Sequence, residues 1–465
     1  MAKRFKRKDK GKNFKRFLLV MLCLVIVGAG GWFFWEKYEG TAPQIHLDLE
    51  ADVLGAVTKV SGEIEDNRSG VRKLWVGLIK DGKETVLLEK TIGAGHGQAS
   101  EAGNGVPLSV TIDTKKLGLS DGEALLRVAA WDHSWRNWWK GNVAYLEKTL
   151  VFDTRAPRLT VLTSQHNIRQ GGSGLVIYRL SEPCEQSGVY VGEEFFPGYA
   201  GYFDDEAIYI ALFALSYDQG EGTELGVKAV DAAGNTAKSG FYHYIREKRF
   251  KTDVLPVSDA FLERKMPEFE DFMGQQADAS LKDRFLYVNR TLRQKNNRAI
   301  LENGRKSEKK FFWDGAFGRL PNSARRANFA DHRVYKYNGE TIDRAVHMGI
   351  DLASVRHDEI PAANAGKVAV AREIGIYGNT VVIDHGYGLF SVYSHLSRIR
   401  VGPGDRITKG QIIGHTGATG LAGGDHLHFG MFIDHIYVDP IEWWDADWIE
   451  NNITSKLENI ESIID

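Results

Sequence analysis

Cysteine is nearly missing from this chain. Only Cys23 and Cys184 occur in 465 residues, and Cys23 lies inside a charge-free apolar run, so the two cannot pair and no disulfide framework holds the fold. Excess charge of either sign is missing too. The 59 basic and 61 acidic residues leave a net charge of -2, which gives no electrostatic case for a nucleic-acid partner. Proline is scarce, with 11 residues against 50 glycines, a ratio that predicts many tight turns and mainly β structure. There is no HExxH anywhere, so no helix-borne glutamate of that pattern can act as a base. The remaining composition, 43% hydrophobic and 26% charged, is ordinary for a globular protein. At this length a single core does not suffice, and about three folded units are expected.

What is present is polarised along the chain. Residues 1–16 form a basic segment that holds Lys3, Arg4, Lys6, Arg7, Lys8, Lys10, Lys12, Lys15 and Arg16 against one acid, Asp9. No charge then occurs from Phe17 to Trp35. A helix over 17–35 rises about 1.5 Å per residue and nearly matches a hydrocarbon core of roughly 30 Å. Trp32, Phe33, Phe34 and Trp35 supply an aromatic belt, and the basic head stays in the cytoplasm. Gly28-Ala29-Gly30 could serve as a cleavage site, but the apolar run continues through it. The expectation is an uncleaved single-pass anchor, with everything after Glu36 outside the cytoplasm.

Residues 41–154 and 155–250 read as two related β domains. One opens Thr41-Ala42-Pro43 and the other Arg155-Ala156-Pro157, and each closes on a strand running into a turn, at Trp131-Asp132 and at Val230-Asp231. The first copy is longer, its extra residues falling in the Gly-rich stretch 93–105. Leu108 to Ile112 alternates apolar and polar, as a half-buried strand should, whereas Ala207 to Leu215 is continuously apolar and suits a buried one. The Asp231-Ala-Ala-Gly-Asn235 turn resembles bacterial immunoglobulin-like modules, which implies β-sandwiches. Trp131, Trp135, Trp138 and Trp139 could bind the wall or a protein partner, or could simply pack within a spacer. Residues 251–310 read as a helical connector: Ser258 is an N-cap, Pro267 interrupts the first helix, and a second spans Leu281 to Leu301. Residues 451–465 read as a C-terminal tail.

Nine of the 14 histidines fall at or beyond His332. His347-Met-Gly-Ile-Asp351 offers an imidazole and a carboxylate, with Gly349 arguing for a strand or turn over a helix. In His426-Leu427-His428, strand geometry points both histidines to one side. A catalytic zinc needs three N or O ligands and an open position. His347, Asp351 and one histidine of the pair supply three, leaving the other beside the metal for proton transfer.

The surroundings strengthen this. Gly378-Asn-Thr-Val-Val-Ile-Asp-His-Gly386, Tyr393-Ser-His-Leu396, Val401-Gly-Pro-Gly-Asp405, Lys409-Gly-Gln-Ile-Ile-Gly414 and Thr416-Gly-Ala-Thr-Gly420 follow in order. Together they closely resemble the lysostaphin-type (LytM-like) zinc endopeptidases over about Phe311 to Trp444. The resemblance implies a compact antiparallel β-sheet domain at 311–450 and peptidoglycan stem or bridge peptide as substrate. It also implies zinc ligation by His347, Asp351 and His428, with His395 and His426 as catalytic histidines. Two departures stand out: Gly430 where the family often has Glu, and Asp425 before the pair. His385 and His415 read as turn or surface residues, and His332, His357 and His435 stay unassigned.

The whole chain is thus expected to be a mainly β, membrane-anchored Zn2+ endopeptidase that remodels peptidoglycan. The alternatives are a wall-binding activator of another hydrolase and a zinc peptidase acting on proteins. The connector is expected to restrain the site, with Asn289, Asn296, Asn297 and Asn303 polar enough to reach a metal.

Overall fold

A computed structural model describes residues 10–49, 51–66, 68–93 and 105–464. The basic head up to residue 9 and most of the Gly-rich insertion, 94–104, lie outside the described residues. The chain is mainly β and divides into two compact units, Met1–Arg155 with Ala232–Asn235, and Ala156–Asp231 with Thr236–Asp465.

In the first unit the helix Lys10–Lys37 is long and apolar enough over Phe14–Trp35 to cross a membrane. Its apolar side chains are exposed along that length. A three-stranded sheet (Gln44–Asp48, Val57–Glu65, Gly105–Asp113) and a five-stranded sheet (Val53–Leu54, Val143–Phe152, Gly122–Asp132, Val71–Lys80, Lys83–Thr91) share one core. Leu108, Val110 and Ile112 face that core while Ser109 and Thr111 face out, the outcome that a period of two dictates.

The second unit opens with another pair of sheets. One contains Ile208–Ala214, buried nearly throughout as its continuous apolar run requires, and the other is built on Gln186–Val191 and Leu225–Val230. These sheets pack against the C-terminal domain through Asp439, whose N–H donates to Gly171 O at 2.8 Å and whose carboxylate pairs with Lys248. Beside it Glu442 is enclosed, accepting the Ser173 N–H at 3.0 Å. Burial pushes the Glu442 carboxyl up to about 7. A carboxyl raised on folding contributes its full stability below the ordinary Glu range and loses it as pH rises through 7. Glu442→Gln keeps an acceptor without the ionisation. It is expected to stabilise the protein by on the order of 3 kcal/mol at pH 8 and by nothing near pH 4, measured by denaturant unfolding at both values.

Residues 251–310 are more than a helical connector. They start with a strand, Thr252–Val257, which pairs in parallel with His332–Tyr337. Ser258 caps the next helix, accepting from Phe261 N. Pro267 does not end the helical path, because it occupies the first turn of a 3-10 helix, Met266–Phe269, where its missing N–H has no partner to lose. Leu281 to Leu301 runs as a helix carrying a π turn at Val288–Leu292. The residues from 451, expected as a tail, are also helical through Ile464, with Ile453, Leu457 and Ile460 buried. The C-terminal domain centres on an antiparallel sheet ordered Ala324–Ala327, Ile350–Ala353, Leu427–Ile433, Leu389–Leu396, Asn379–Gly386, Gly366–Glu373, Arg406–Ile407.

Candidate metal centre

The centre is assembled by three neighbouring strands. Leu427–Ile433 lies between Ile350–Ala353 and Leu389–Leu396, and its His428 stands directly opposite Asp351 on one side and Ser394 on the other. Opposed residues of an antiparallel pair share a face, so Asp351 and His428 are neighbours by register. His347 joins them because the chain bends at Gly349 before entering its strand. A Cβ on Gly349 would lie 2.6 Å from His428 Cε1 and 2.7 Å from Phe429 O. The spacing between histidine and aspartate therefore works only with a glycine inside it. Gly349→Ala is expected to displace the His428 ring and to weaken metal binding by at least an order of magnitude, read by chelator competition.

Three donor atoms converge. His347 Nε2 is 2.9 Å from His428 Nδ1 and 2.9 Å from Asp351 Oδ1, and His428 Nδ1 is 3.0 Å from the same oxygen. His347 Nδ1 faces Asn328 O at 2.9 Å, so Nδ1 carries the proton and Nε2 turns a lone pair inward. Burial lowers both imidazoles, His428 to about 4, which keeps them in the neutral, ligating form. Burial works against the Asp351 carboxylate, but the imidazoles around it outweigh burial and hold its carboxyl well below the usual range. Arg333 Nη2 secures the other side of Asp351 at 2.8 Å. One carboxylate oxygen and two imidazole lone pairs facing one point form a donor set that a single cation satisfies together, so the residues fit a metal of the N and O class.

His395 and His426 stand beside this triangle. Strict alternation would turn His395 away, since Ser394 already shares the face of His428. An extra residue against the neighbouring strand Asn379–Gly386 breaks the alternation. His395 takes φ +66, bringing its ring centroid 5.8 Å from His428 and 4.8 Å from His426. Both rings face backbone carbonyls through Nδ1, His395 at Thr419 O (2.8 Å) and His426 at Gly424 O (2.8 Å). That fixes Nε2 as the basic atom of each. Burial lowers His395 well below the ordinary imidazole range, so it is neutral at pH 7.

All five expected residues thus line one cavity of about 340 Å³, together with Arg333. The connector also lines this cavity, with Leu255, Val257, Phe261, Phe285 and Arg293. Its asparagines do not reach the donor atoms. Asn289 binds Asp343, Asn296 accepts the Ile376 N–H, Asn297 accepts the Tyr377 hydroxyl, and Asn303, in the turn after the helix, donates to Ala299 O and Ile300 O. Each is occupied by a backbone or side-chain partner. His385, expected at a turn or surface, is fully buried between Ala365 O and Ser391 Oγ, at 2.7 Å from each. Asp425 accepts from His357 N. A Cβ on Gly430 would come within 3.1 Å of Met348 O, so a larger residue there presses on the turn that carries His347.

Two contributors escaped the sequence reading. Arg333 lies 18 positions before its partner Asp351, and no local spacing connects them. Lys265 is 4% exposed and donates to Ala418 O at 2.7 Å and Gly420 O at 3.0 Å. Those carbonyls flank Thr419, the residue that orients His395. An isolated lysine in an ordinary amphipathic helix carries no signal of that role.

Residues 345–440 match Peptidase family M23. Among curated proteins, the peptidoglycan DD-endopeptidase ShyC of Vibrio cholerae is 33% identical over 141 residues, covering 30% of this chain and 30% of that protein. The DD-carboxypeptidase/endopeptidase Mpg of Neisseria meningitidis is 34% identical over 96 residues, covering 21% of this chain and 22% of that one. The chain therefore spans less than a third of the length of these relatives. Among solved structures, the catalytic domain of lysostaphin from Staphylococcus simulans is 27% identical, covers 28% of this chain and 98% of that chain, and gives a TM-score of 0.25.

Proposed function

We propose, starting from a C-terminal domain that is an M23 (LytM-like) peptidase domain, that this chain is a membrane-anchored zinc endopeptidase. Its substrates would be the peptide cross-links or stem peptides of bacterial peptidoglycan, cleaved during wall remodelling. The observation that carries the reading is the convergence of His347 Nε2, Asp351 Oδ1 and His428 Nδ1 within 3.0 Å, with His395 and His426 beside them. The two curated relatives described above are named as acting on DD peptide bonds, which supports a wall substrate.

Zinc held by His347, Asp351 and His428 would polarise the scissile carbonyl and make an attacking water more acidic. The chain's own residues do the rest. His395 and His426, each with Nδ1 held by a backbone carbonyl, present Nε2 to take the proton of the attacking water and return one to the leaving amine. Arg333 fixes the carboxylate that the ligand set depends on. Leu255, Val257, Phe261 and Phe285 of the connector give the cavity an apolar surface.

The helix at Phe14–Trp35 would hold the enzyme in the cytoplasmic membrane with both units outside the cytoplasm. Full-length protein incubated with purified sacculi is expected to release muropeptides whose masses identify the bond cut. Metal at about one per chain with no release would favour a wall-binding activator, and release from protein substrates alone would favour the protein peptidase. Retention in membranes after a high-salt wash tests the anchor, and a mature N-terminus beyond residue 28 would refute it.

A further inference from the structure

We propose that the tryptophan loop 135–139 of the first unit inserts into the lipid headgroup region and holds the first β-sandwich against the bilayer. The inference rests on the reading that Phe14–Trp35 spans the membrane. Trp138 is 92% exposed and Trp139 63% exposed, although an indole in water forfeits the burial that a large apolar ring offers. The backbone presents them at a cost. Asn137, Trp138 and Trp139 take φ of +52, +57 and +69 in succession, a left-handed run that ordinary residues adopt only when their surroundings enforce it. The enforcement is visible: Asn137 Nδ2 donates to Gly141 O at 2.9 Å, and Arg72 donates to Trp139 O at 3.0 Å and to Lys140 O.

The position of the loop decides the occupant. Trp135 at its base packs on the outer end of the apolar helix, with ring centroids 5.5 Å from Phe33 and 6.3 Å from Phe34. The Trp135 backbone N–H donates to Lys37 O at 2.7 Å. Ser134 Oγ donates to Glu39 O at 3.1 Å, and Arg68 covers the Trp35 ring at 4.9 Å and donates to its carbonyl. The exposed indoles therefore stand level with residues 33–38, where an apolar span gives way to water. Arg136, stacked at 5.5 Å over Tyr38, places a cation among the rings. Amphipathic aromatics with basic neighbours at the end of a span suit the phosphate and glycerol layer of a bilayer.

The test reconstitutes the full chain in phosphatidylethanolamine–phosphatidylglycerol vesicles whose acyl chains are brominated near the headgroup, with unbrominated vesicles as reference. The emission difference between wild type and Trp138→Phe/Trp139→Phe isolates the two indoles, and we expect brominated lipid to remove roughly half or more of it. An isolated emission that bromine leaves unchanged overturns the proposal, as does full access of aqueous acrylamide to that same wild-type-minus-variant emission. In the double variant nine of the 11 tryptophans remain, and the part of their emission that brominated lipid removes comes from rings in contact with acyl chains, Trp32 and Trp35 of the span foremost. Quenching there without quenching at the loop defeats the loop alone, whereas no quenching at either place defeats the spanning reading and the loop with it.

Discussion

Replacing His347, Asp351 or His428 with Ala is expected to empty the metal centre and abolish muropeptide release. Each contributes one of three atoms that meet within 3.0 Å. Two remaining donors hold zinc poorly against water and chelator. His395→Ala and His426→Ala are expected to behave differently. Neither atom set belongs to the triangle, and each ring is oriented by its own backbone carbonyl. Zinc should stay near one per chain while cleavage falls by about a hundred- to ten-thousand-fold, the usual loss for a positioned acid or base. Metal analysis and muropeptide release on the five variants separate the two groups. Loss of zinc from His395→Ala or His426→Ala as complete as from His347→Ala would show that the roles are divided wrongly.

A chain beginning near Lys309 is expected to lose its fold, not to gain activity as a released enzyme would. The segment it lacks buries Leu262, Met266, Phe269, Met273, Phe285, Val288, Leu292 and Ile300 in the shared core. At about 1.5–3 kcal/mol for each large apolar side chain, that burial rivals or exceeds the roughly 5–15 kcal/mol by which a whole domain is stable. It also supplies the strand paired with His332–Tyr337, which carries Arg333. Loss of cooperative unfolding in the truncated chain is the expected readout, and a folded truncation digesting sacculi faster than the full chain would restore the restraining role. The finer version is Lys265→Met, which keeps the apolar stem and removes the donors to Ala418 O and Gly420 O. Two buried carbonyls left unmatched cost about 1–3 kcal/mol each. With Thr419 loosened, kcat should fall while zinc content stays.

Residues 251–310 are legible in the sequence only in part. The apolar positions Leu262, Met266, Phe269 and Met273 recur at helical spacing and all are buried. Pro267 reads as a break in that pattern, yet a proline starting a new turn leaves the buried stripe intact. The polar asparagines of the same segment looked able to reach a metal because composition does not reveal which hydrogen bonds are already made. Trp135, Trp138 and Trp139 were conspicuous as residues, but only the packing of Trp135 on the end of the helix distinguishes a spacer's core from a surface facing lipid.

The sequence by itself determined the parts that depend on short range. The charge-free run produced the apolar helix, alternation set which residues of 108–112 face inward, and strand period put His426 and His428 on one side of the chain. The tertiary structure alone decided the contacts made across strands and segments. Asp351 meets His428 because of register, and register is fixed by how whole strands bury their faces. His395 joins them through a bulge that reverses the alternation it would otherwise obey. Arg333 and Lys265 act on the centre from distant stretches, since hydrogen bonding and charge depend on distance in space and are blind to distance along the chain.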